Sequence, residues 1–532
     1  MDTKALRQKI LDLAIRGKLV PQDPNDEPAS ALLERIRVEK QQMVKEGKLK
    51  PKDIKNDTVI FKSDDNLHYE KFSDGTVKCI EDEIPFELPE SWEWTRLGCI
   101  TDVIQYGLSN SAGSTGDYRL LRITDIQNGC VNWDTVPFTS TDEPEKYLLH
   151  KDDIVFTRTG ATVGKSFLIT DLPYASVYAS YLIRIRLING ISANYIYHFF
   201  NSYCYWEQVT DKAVGVGQPN CNGTALRELF IPLPSQAEQN RIVPVADNLL
   251  KIVDTITSEQ ESLSELIQTT KSKILDLAIR GKLVPQGPND EPASVLLERI
   301  RAEKEGLIKQ GKIKRDKKDY VIFKGDDNSY YEKIGEEVFC IDEEIPYNIP
   351  DTWTWMRLEN CCVKEIRRGK SPKYTENSNV LVFAQKCNTK HNSIDVSLAQ
   401  YLDETALKRS PDDEYMQDGD TVINSTGTGT LGRVGIYRNT DNTKGLSIVP
   451  DSHVTVIRSF SCINSHYLYA FMKAHQSVLE KKGEGSTNQK ELKPLTLKEM
   501  LIAIPPLSEQ KRIDKSINIA LSHFAVIEES LN

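Results

Sequence analysis

The stretch "KILDLAIRGKLVPQDPNDEPASALLERIRVEK", residues Lys9–Lys40, occurs a second time as "KILDLAIRGKLVPQGPNDEPASVLLERIRAEK", residues Lys273–Lys304. The two copies agree at 29 of 32 positions and lie 264 residues apart, about half of the 532-residue chain. Self-similarity at a long fixed period is the sequence signature of a duplicated structural unit. The chain therefore consists of two related halves, and an account of its function has to explain the doubling.

Weaker matches follow each copy in the same order, and between them the halves differ. The matching pairs are Val59–Lys71 with Val321–Lys333, Glu83–Leu97 with Glu344–Leu358, Asp153–Lys165 with Asp420–Arg433, and Ile231–Ile242 with Ile504–Ile513. Residues 98–230 and 359–503 share little beyond short strand-like runs. Identical parts can hold two copies of one partner, whereas different parts can recognise two different targets. Uneven drift after duplication is the alternative, but drift alone does not explain why one block stays nearly fixed.

The segment between the two divergent regions predicts one long α-helix. Apolar residues recur there in alternating steps of four and three, which is the pattern of a coiled-coil seam. The seam positions are Leu249, Val253, Ile256, Gln260, Leu263, Ile267, Thr270, Ile274 and Leu277. A helix from about Ser235 to Ile279 would be ~65 Å long at ~1.5 Å per residue. We expect Pro244 in its first turn, and Gly281 and Pro285 at its end.

The last and first segments together rebuild a second copy of this helix. The C-terminal copy matches the sequence as far as Glu261, and Met1 matches from Glu265 onward. The simplest arrangement packs the two helices antiparallel about a pseudo-twofold axis, with the termini close together, although each helix could instead lie on its own domain. The predicted fold is α+β: two mixed α/β domains joined by two long antiparallel helices, a coiled-coil spacer, in a circularly permuted repeat.

This organisation predicts five parts. They are residues 1–85 (N-terminal helix and linker), 86–235 (first variable domain), 236–345 (central helix and linker), 346–507 (second variable domain) and 508–532 (C-terminal helix).

Composition excludes several classes of protein. Hydrophobic residues at 39% and charged residues at 27% are ordinary for a folded domain. No apolar run is long enough to cross a bilayer, and the N-terminus has no signal-peptide pattern, so we expect a cytoplasmic protein. The ten cysteines form no C-x-x-C pair and the eight histidines no H-x-x-x-H pair, so we expect reduced thiols and no metal site.

The charge balance argues against a free-standing nucleic-acid binder. The chain has a net charge of −10. Residues 86–235 hold 11 Lys and Arg against 16 Asp and Glu, and residues 347–507 hold 20 against 18. Proteins that bind nucleic-acid phosphates normally carry a clear excess of basic residues, which neither segment has.

Four motifs occur in one order, and the series occurs twice: "KILDLAIRGKLVPQDPNDEPAS", "SWEWTRLG", "TRTGATVGK" and "PLPSQAEQNRI". Over essentially its whole length the chain resembles the specificity subunit of a Type I restriction–modification enzyme. The resemblance implies two target-recognition domains, each reading one half of a bipartite, asymmetric site in double-stranded DNA, and helices that set the unread spacer. It also implies two docked methyltransferase subunits that methylate adenine N6, to which two restriction/translocase subunits can be added.

The same resemblance implies a subunit that is not itself catalytic and binds no cofactor. S-adenosylmethionine, ATP and magnesium are expected in the partner subunits. The sequence agrees, since it lacks the Asn/Asp-Pro-Pro-Tyr/Phe run with which an adenine methyltransferase would hold a flipped base. A coiled-coil adaptor with two ligand-binding heads that do not read DNA is the alternative.

Candidate DNA contacts lie on loops of the variable domains. The loop after the tryptophan-containing strand reads "QYGLSNSAGSTGDYR" in the first half and "KEIRRGKSPKY" in the second, which is dense in positive charge. Glycine-flanked polar stretches, "GVGQPNCNG" and "GEGSTNQK", precede the last strand. The candidates are Ser109, Asn110, Ser111, Arg158, Lys165, Gln218 and Asn220 in the first half, and Arg367, Arg368, Lys370, Lys373, Arg433, Asn488 and Gln489 in the second. An ordinary solvated loop is the alternative for each.

The stretch "TRTGATVGKS", residues Thr157–Ser166, superficially matches a phosphate-binding loop. It has three residues rather than four between its last two glycines, and a strand-like "FLIT" follows where a helix is required. The other half reads "GTGTLGRVG", with Arg433 and Val434 in place of lysine and serine. We therefore predict a tight turn between strands, with Lys165 or Arg433 beyond it. Contact with DNA phosphate and a plain structural turn both remain open. The basic linkers Lys45–Lys55 and Lys309–Lys318 are a further candidate, although a solvated helix exit is favoured there.

Overall fold

The structure is a computed structural model that describes residues 1–127, 129–212, 220–315, 320–390, 394–409, 412–427, 429–484 and 490–531. The chain forms two compact units, Met1–Gln260 and Glu261–Asn532. Each contains helices and strands, so the predicted α+β class and the doubling are confirmed. The five-part division stays a prediction.

The first unit carries the following elements. Its helices are α1 (Thr3–Ile15), α2 (Ala29–Lys45), α3 (Pro51–Ile54), α4 (Pro144–Tyr147), α5 (Ala193–Phe200), α6 (Tyr203–Lys212), α7 (Gly223–Arg227) and the first part of α8 (Gln236–Ile279). Its strands are β1 (Val59–Lys62), β2 (His68–Lys71), β3 (Val77–Cys79), β4 (Glu93–Arg96), β5 (Thr101–Tyr106), β6 (Tyr118–Leu121), β7 (Ile126–Gln127), β8 (Cys130–Val131), β9 (Phe138–Thr139), β10 (Ile154–Thr157), β11 (Ser166–Leu168), β12 (Ser176–Tyr178), β13 (Leu182–Leu187) and β14 (Phe230–Leu233).

The second unit follows the same order after the end of α8. Its helices are α9 (Ala293–Lys309), α10 (Ser465–Ala474), α11 (Gln476–Lys481), α12 (Pro494–Lys498) and α13 (Leu507–Leu531). Its strands are β15 (Tyr320–Lys324), β16 (Tyr330–Ile334), β17 (Glu337–Cys340), β18 (Thr354–Arg357), β19 (Arg367–Arg368), β20 (Tyr374–Thr375), β21 (Val380–Phe383), β22 (Gln400–Leu402), β23 (Thr421–Asn424), β24 (Val434–Ile436), β25 (Ser447–Pro450), β26 (Val454–Ile457) and β27 (Leu501–Ile504).

The long central helix is confirmed, with one correction. Helix α8 runs without interruption for 44 residues, from Gln236 to Ile279. Pro244 was expected in its first turn but lies inside the helix, at the ninth residue. A proline there removes the hydrogen bond to the carbonyl of Asn240. The helix continues because Ile242 and Ala246, on either side of the proline, are fully buried against the domain core.

Within the first unit, α1 runs antiparallel to the first part of α8. The Gln260 side chain donates to the Met1 carbonyl oxygen at 3.1 Å, and Arg7, further along α1, pairs with Asp254, earlier in α8. Two predicted seam positions of α8 are buried, Val253 in this unit and Ile267 in the second.

In the second unit α8 packs against α13, and one predicted seam position is exposed instead of buried. Lys271 of α8 pairs with Glu528 of α13 at 2.7 Å. Leu263, predicted as a seam residue, is 37% exposed. Since Glu528 lies near the end of α13, at Leu531, the partner helix stops before it reaches Leu263.

Glycine ends the α1 and α8 helices in the same way. Gly17 and Gly281 have φ values of +66° and +67°, which favour glycine. A Cβ at Gly17 would lie 2.5 Å from the Pro89 ring, and one at Gly281 would lie 2.5 Å from the Pro350 ring. The predicted helix stop at Gly281 is confirmed, and the repeated sequence packs equally tightly in both halves.

Each unit fastens its linker to the start of a long helix through what we call the scaffold joint. In the first unit Trp92 Nε1 donates to Glu238 at 2.8 Å, and Arg241 pairs with Asp26 at 2.6 Å. Burial raises the pKa of Glu238, although Trp92 donates to its carboxylate. Hydrogen bonding to Arg241 lowers the pKa of Asp26.

The second unit repeats the scaffold joint residue for residue. Trp353 Nε1 donates to Glu509 at 3.0 Å, and Arg512 donates to Asp290 at 3.0 Å. That arginine lowers the pKa of Asp290 to about 2. The repeated residues therefore build one structure twice.

The two variable domains share a topology although their sequences diverge. In the first, a sheet of order β11-β10-β13-β5 lies beside one of order β12-β6-β9. In the second, the orders are β24-β23-β26-β19 and β25-β21-β22-β20. In both, the only parallel pair described joins the equivalent strands, β12 with β6 and β25 with β21. Phe199, Tyr205 and Phe471, on the helices that follow, are buried and form part of the core.

Three further observations concern the part of the chain that is described. All ten cysteines are free thiols, and four of them are buried. No described helix is long and apolar enough to span a membrane. No group of three or more His, Cys, Asp or Glu side chains among these residues is placed to hold a metal ion.

Candidate nucleic-acid interface

The glycine-rich stretch is a hairpin turn in both halves, as predicted. It joins β10 to β11, where Thr157 N–H donates to Lys165 O at 2.8 Å. The equivalent turn joins β23 to β24, where Asn424 N–H donates to Arg433 O at 3.0 Å. A strand follows each turn, so neither half offers the helix N-terminus that a nucleotide phosphate requires.

The basic residue beyond each turn is used differently in the two halves. Lys165 is exposed, and its ammonium has no partner within the described ranges. Arg433 is half-buried and donates to the carbonyl oxygens of Asn388 at 2.8 Å and Gly429 at 3.1 Å. Lys165 can therefore reach a phosphate without losing a contact, whereas Arg433 already stabilises its own turn through these two hydrogen bonds.

A close backbone crossing fixes the loop after β5 and β19. A Cβ at Gly107 would lie 2.2 Å from Tyr178 O, and one at Gly369 would lie 2.0 Å from Pro450 O. The next residues form equivalent parallel bridges, Leu108 with Ala179 and Lys370 with Asp451. Only glycine permits this approach. The crossing also aligns the two loops, so that Tyr106 corresponds to Arg368.

The polar loop of the first half remains exposed. Ser109, Asn110 and Ser111 all lie at the surface. The Asn110 amide donates to Ser140 O at 2.8 Å, and Ser111 O accepts from the Thr139 hydroxyl at 3.3 Å. Thus the loop is tied to its neighbour, while the two serine hydroxyls have no partner in the described chain.

Arg158 and Asn220 come together beside this loop. The Arg158 guanidinium lies over the Tyr106 ring, 4.8 Å from its centroid. Asn220 forms a backbone bridge with Thr159, the residue after Arg158. Gln218 lies outside the described residues. The structure therefore gathers three of the sequence candidates, Arg158, Lys165 and Asn220, at one turn.

In the second half, most of the basic loop is neutralised internally. Arg367 pairs with Asp413 at 3.0 Å and Glu414 at 2.9 Å, Arg368 pairs with Glu491 at 2.6 Å, and Lys373 pairs with Asp403 at 2.6 Å.

Two lysines of that loop differ in exposure. Lys364 is buried and donates to Asp413 O at 2.8 Å, and burial lowers its pKa. Lys370 is exposed, with no side-chain partner in the described chain. The density of positive charge in the sequence therefore overstates what this loop offers to a phosphate. Asn488 and Gln489 lie outside the described residues.

Further arginines are used inside each domain. Arg186 pairs with Asp153 at 2.7 Å, and Arg458 pairs with Asp420 at 2.7 Å; both carboxylates are about 1% exposed. These aspartates begin the repeated hairpin motif, so that part of the motif is structural. Burial also raises the pKa of the neighbouring Asp102 to about 6.

Sequence reasoning missed two tyrosines at the interface. Tyr106 ends β5 and supports Arg158, while Tyr181, 61% exposed, precedes β13 and accepts the Arg158 N–H at 3.2 Å. In the second half His453 corresponds to Tyr181, and its ring nitrogen bonds the Thr426 hydroxyl at 2.7 Å. The available signal was a tyrosine at the very end of a strand or directly before one, where burial is not required.

Comparison with known proteins agrees with this organisation. The family model for the Type I restriction modification DNA specificity domain matches residues 89–266 and 350–524. The chain is similar to the Type I restriction enzyme EcoEI specificity subunit of Escherichia coli, with 26% identity over 97% of this chain and 88% of that protein. It is also similar to the EcoAI specificity subunit of Escherichia coli, with 29% identity over 67% of this chain, spanning 62% of the length of that relative.

A chain from a solved structure of a type I R-M system has a related fold. It superimposes with a TM-score of 0.51 at 16% identity, covering 84% of this chain and 94% of that chain. The family model matches more than half of the present sequence, once in each half. The chain therefore belongs to the Type I restriction–modification DNA specificity family and carries two copies of the specificity domain.

Proposed function

We propose that this chain is the sequence-recognition subunit of a Type I restriction–modification complex, in which each variable domain reads one half of a bipartite, asymmetric DNA site. One observation carries the proposal. The sheets β11-β10-β13-β5 and β24-β23-β26-β19 have the same strand order, but the side chains at corresponding positions differ. Hydrogen bonds place Ser425 where Arg158 stands, and bridges place Glu491 where Asn220 stands. To read two different DNA sequences, two similar backbones have to present different side chains to the edges of the bases.

The duplicated scaffold supports a second part of the proposal, that two methyltransferase subunits dock on this chain. Both scaffold joints have the same contacts, so each half presents the same local structure to a partner. Identical local structures suit two copies of one subunit. On this proposal the partners hold S-adenosylmethionine, and the motor subunits that can join them use ATP and magnesium. This chain contributes recognition and no catalysis, and it acts in the cytoplasm.

The charges support a third part, that the partners supply much of the phosphate contact. Neither variable domain is basic, and internal ion pairs neutralise most cations of the basic loop of the second domain. We therefore expect the isolated chain to bind DNA weakly and with strong salt dependence, and the assembled complex to bind tightly. Phosphate contacts by this chain would come from residues such as Lys165 and Lys370. Tight, specific binding by the isolated chain in a gel-shift titration would contradict this part.

Methylome sequencing tests the proposal. The chain is expressed with its methyltransferase subunit in cells that lack other adenine methylation, and the methyltransferase subunit alone is the control. We expect a split motif that appears only when both are present. A chimaera with residues 86–235 replaced by the corresponding domain of a relative should change one half of the motif. The matched chimaera at 346–507 should change the other half.

A chain-independent methylation pattern would refute the proposal and favour an adaptor that does not read DNA. Family membership gives that alternative no support, since the matched model is one of DNA specificity domains.

A further inference from the structure

Arg158 differs from most arginines of the first variable domain in having no hydrogen-bonding partner for its side chain. Five others donate to described residues: Arg96, Arg119, Arg122, Arg184 and Arg186. The Arg227 guanidinium makes no hydrogen bond among the described residues either, but this side chain packs beside Gly98 and lies near Asp57. Among the described residues of this domain, Arg158 therefore combines an uncommitted guanidinium with a position at the variable loops.

Three contacts hold Arg158 in place in advance, two through its backbone and one through its side chain. Its N–H donates to Tyr181 O at 3.2 Å, and its carbonyl oxygen accepts from Cys221 N–H at 2.9 Å. Its guanidinium lies on the Tyr106 ring, whose hydroxyl accepts from Gly223 N–H at 2.8 Å. The backbone bonds hold the residue and the ring supports its guanidinium, so less conformational freedom remains to be lost on binding.

Burial of one guanidinium nitrogen of Arg158 indicates which of its donors can reach a ligand. Arg158 Nε is buried with no partner, whereas the two terminal nitrogens are not enclosed in this way. A planar guanidinium with two parallel donors matches the O6 and N7 acceptors that guanine presents in the major groove. A guanidinium fork also matches phosphate, but the same turn already provides a cation for phosphate in the exposed Lys165.

We propose that Arg158 reads a guanine in the half-site of the first variable domain through its two terminal nitrogens, and that Tyr106 is its positioning residue. This inference rests on the proposed function and names one base and one residue within it. The second domain lacks the arrangement. Ser425 takes the place of Arg158 and is buried, sharing a hydrogen bond with Thr455 at 2.7 Å. Arg368 takes the place of Tyr106 and is paired with Glu491. The guanine contact therefore belongs to one half-site only.

The test uses the full chain assembled with its methyltransferase subunits, acting on a DNA library randomised at both half-sites. Methylated molecules are sequenced for the wild type and for Arg158→Ala, Arg158→Lys, Tyr106→Leu and Tyr106→Phe. We expect Arg158→Ala to lose discrimination at one G·C pair by roughly 5- to 150-fold, and Arg158→Lys, which lacks the planar fork, to lose part of it. Tyr106→Leu should show a smaller loss at the same pair, and Tyr106→Phe, which keeps the ring, should retain most of the preference. The second half-site in each molecule is the internal control.

Three outcomes would overturn the inference. Arg158→Ala could leave the preference at every position unchanged. Arg158→Lys could keep the guanine preference, in which case a point charge suffices. Arg158→Ala could also lower methylation of all sequences equally, which is the behaviour of a phosphate anchor. Failure of the proposed function is distinguishable from all three, because the wild-type complex would then show no sequence preference in either half-site.

Discussion

Replacing Gly17 with alanine tests how the repeated scaffold is packed. The backbone at Gly17 has φ +66°, a conformation that costs an alanine about 1–2 kcal/mol. The new Cβ would lie 2.5 Å from Pro89 Cγ and 3.2 Å from two ring atoms of Trp92. Neither neighbour can move away easily, because Pro89 has a rigid ring and the Trp92 indole is hydrogen-bonded to Glu238. Overpacking of this kind costs about 1–3 kcal/mol, so we expect a total loss of about 2–5 kcal/mol in the free energy of unfolding.

Gly47 provides the matched control. It follows α2 with φ +72°, and Lys48 N–H donates to Met43 O at 2.9 Å, just as Lys18 N–H donates to Leu13 O after α1. A Cβ at Gly47 would meet nothing within 4 Å. Gly47→Ala should therefore cost only the backbone strain, about 1–2 kcal/mol. Urea unfolding followed by tryptophan fluorescence measures both, since Trp92 contacts Gly17. Equal losses for the two variants would refute the packing argument.

Three further predictions concern the charges of the variable domains. Because burial raises the pKa of Asp102 to about 6, the folded state keeps a proton that the unfolded chain loses, and stability falls as pH rises from about 4 to 6. Asp102→Asn should remove that fall and, discounted for partial exposure, raise the free energy of unfolding by about 1–3 kcal/mol at pH 8 but not at pH 4, as measured by urea unfolding at both values. Lys165→Ala should lower the salt slope of DNA binding by the assembled complex by about 0.9 without changing its thermal stability, whereas Arg433→Ala should also lower that stability; an unchanged slope for both would exclude the phosphate role. Asp153→Asn should destabilise the first domain by about 3–5 kcal/mol, because it leaves Arg186 without its buried carboxylate, and a loss below 1 kcal/mol in urea unfolding would contradict this.

The local features of the fold could be predicted from sequence because they depend on neighbouring residues. The seam spacing predicted α8, Gly281 predicted its end, and comparison of the two glycine loops predicted a hairpin rather than a nucleotide site. Pro244 was misplaced because a local rule excludes proline from a helix interior. Burial of Ile242 and Ala246 on either side overrides that rule, and this burial is not visible in the local pattern.

The candidate DNA-binding side chains were only partly predictable. Polar and basic loop residues were correctly placed at exposed positions in Ser109, Lys165 and Lys370. Arg367 looked equally available, yet its guanidinium is held by carboxylates 46 and more residues away in the sequence. The sequence alone does not indicate which cations are neutralised inside the domain.

The sequence by itself determined that the chain is doubled, that a long helix separates the two variable domains, and that the scaffold is the same in both halves. These follow from identity and periodicity, which a chain displays before it folds. Only the tertiary structure decided which charges remain available to DNA. It places Arg158 on the Tyr106 ring and Arg186 against Asp153, although these partners are distant from each other in the sequence. Ion pairs and ring contacts are interactions through space, and the tertiary fold rather than the local sequence brings their partners together.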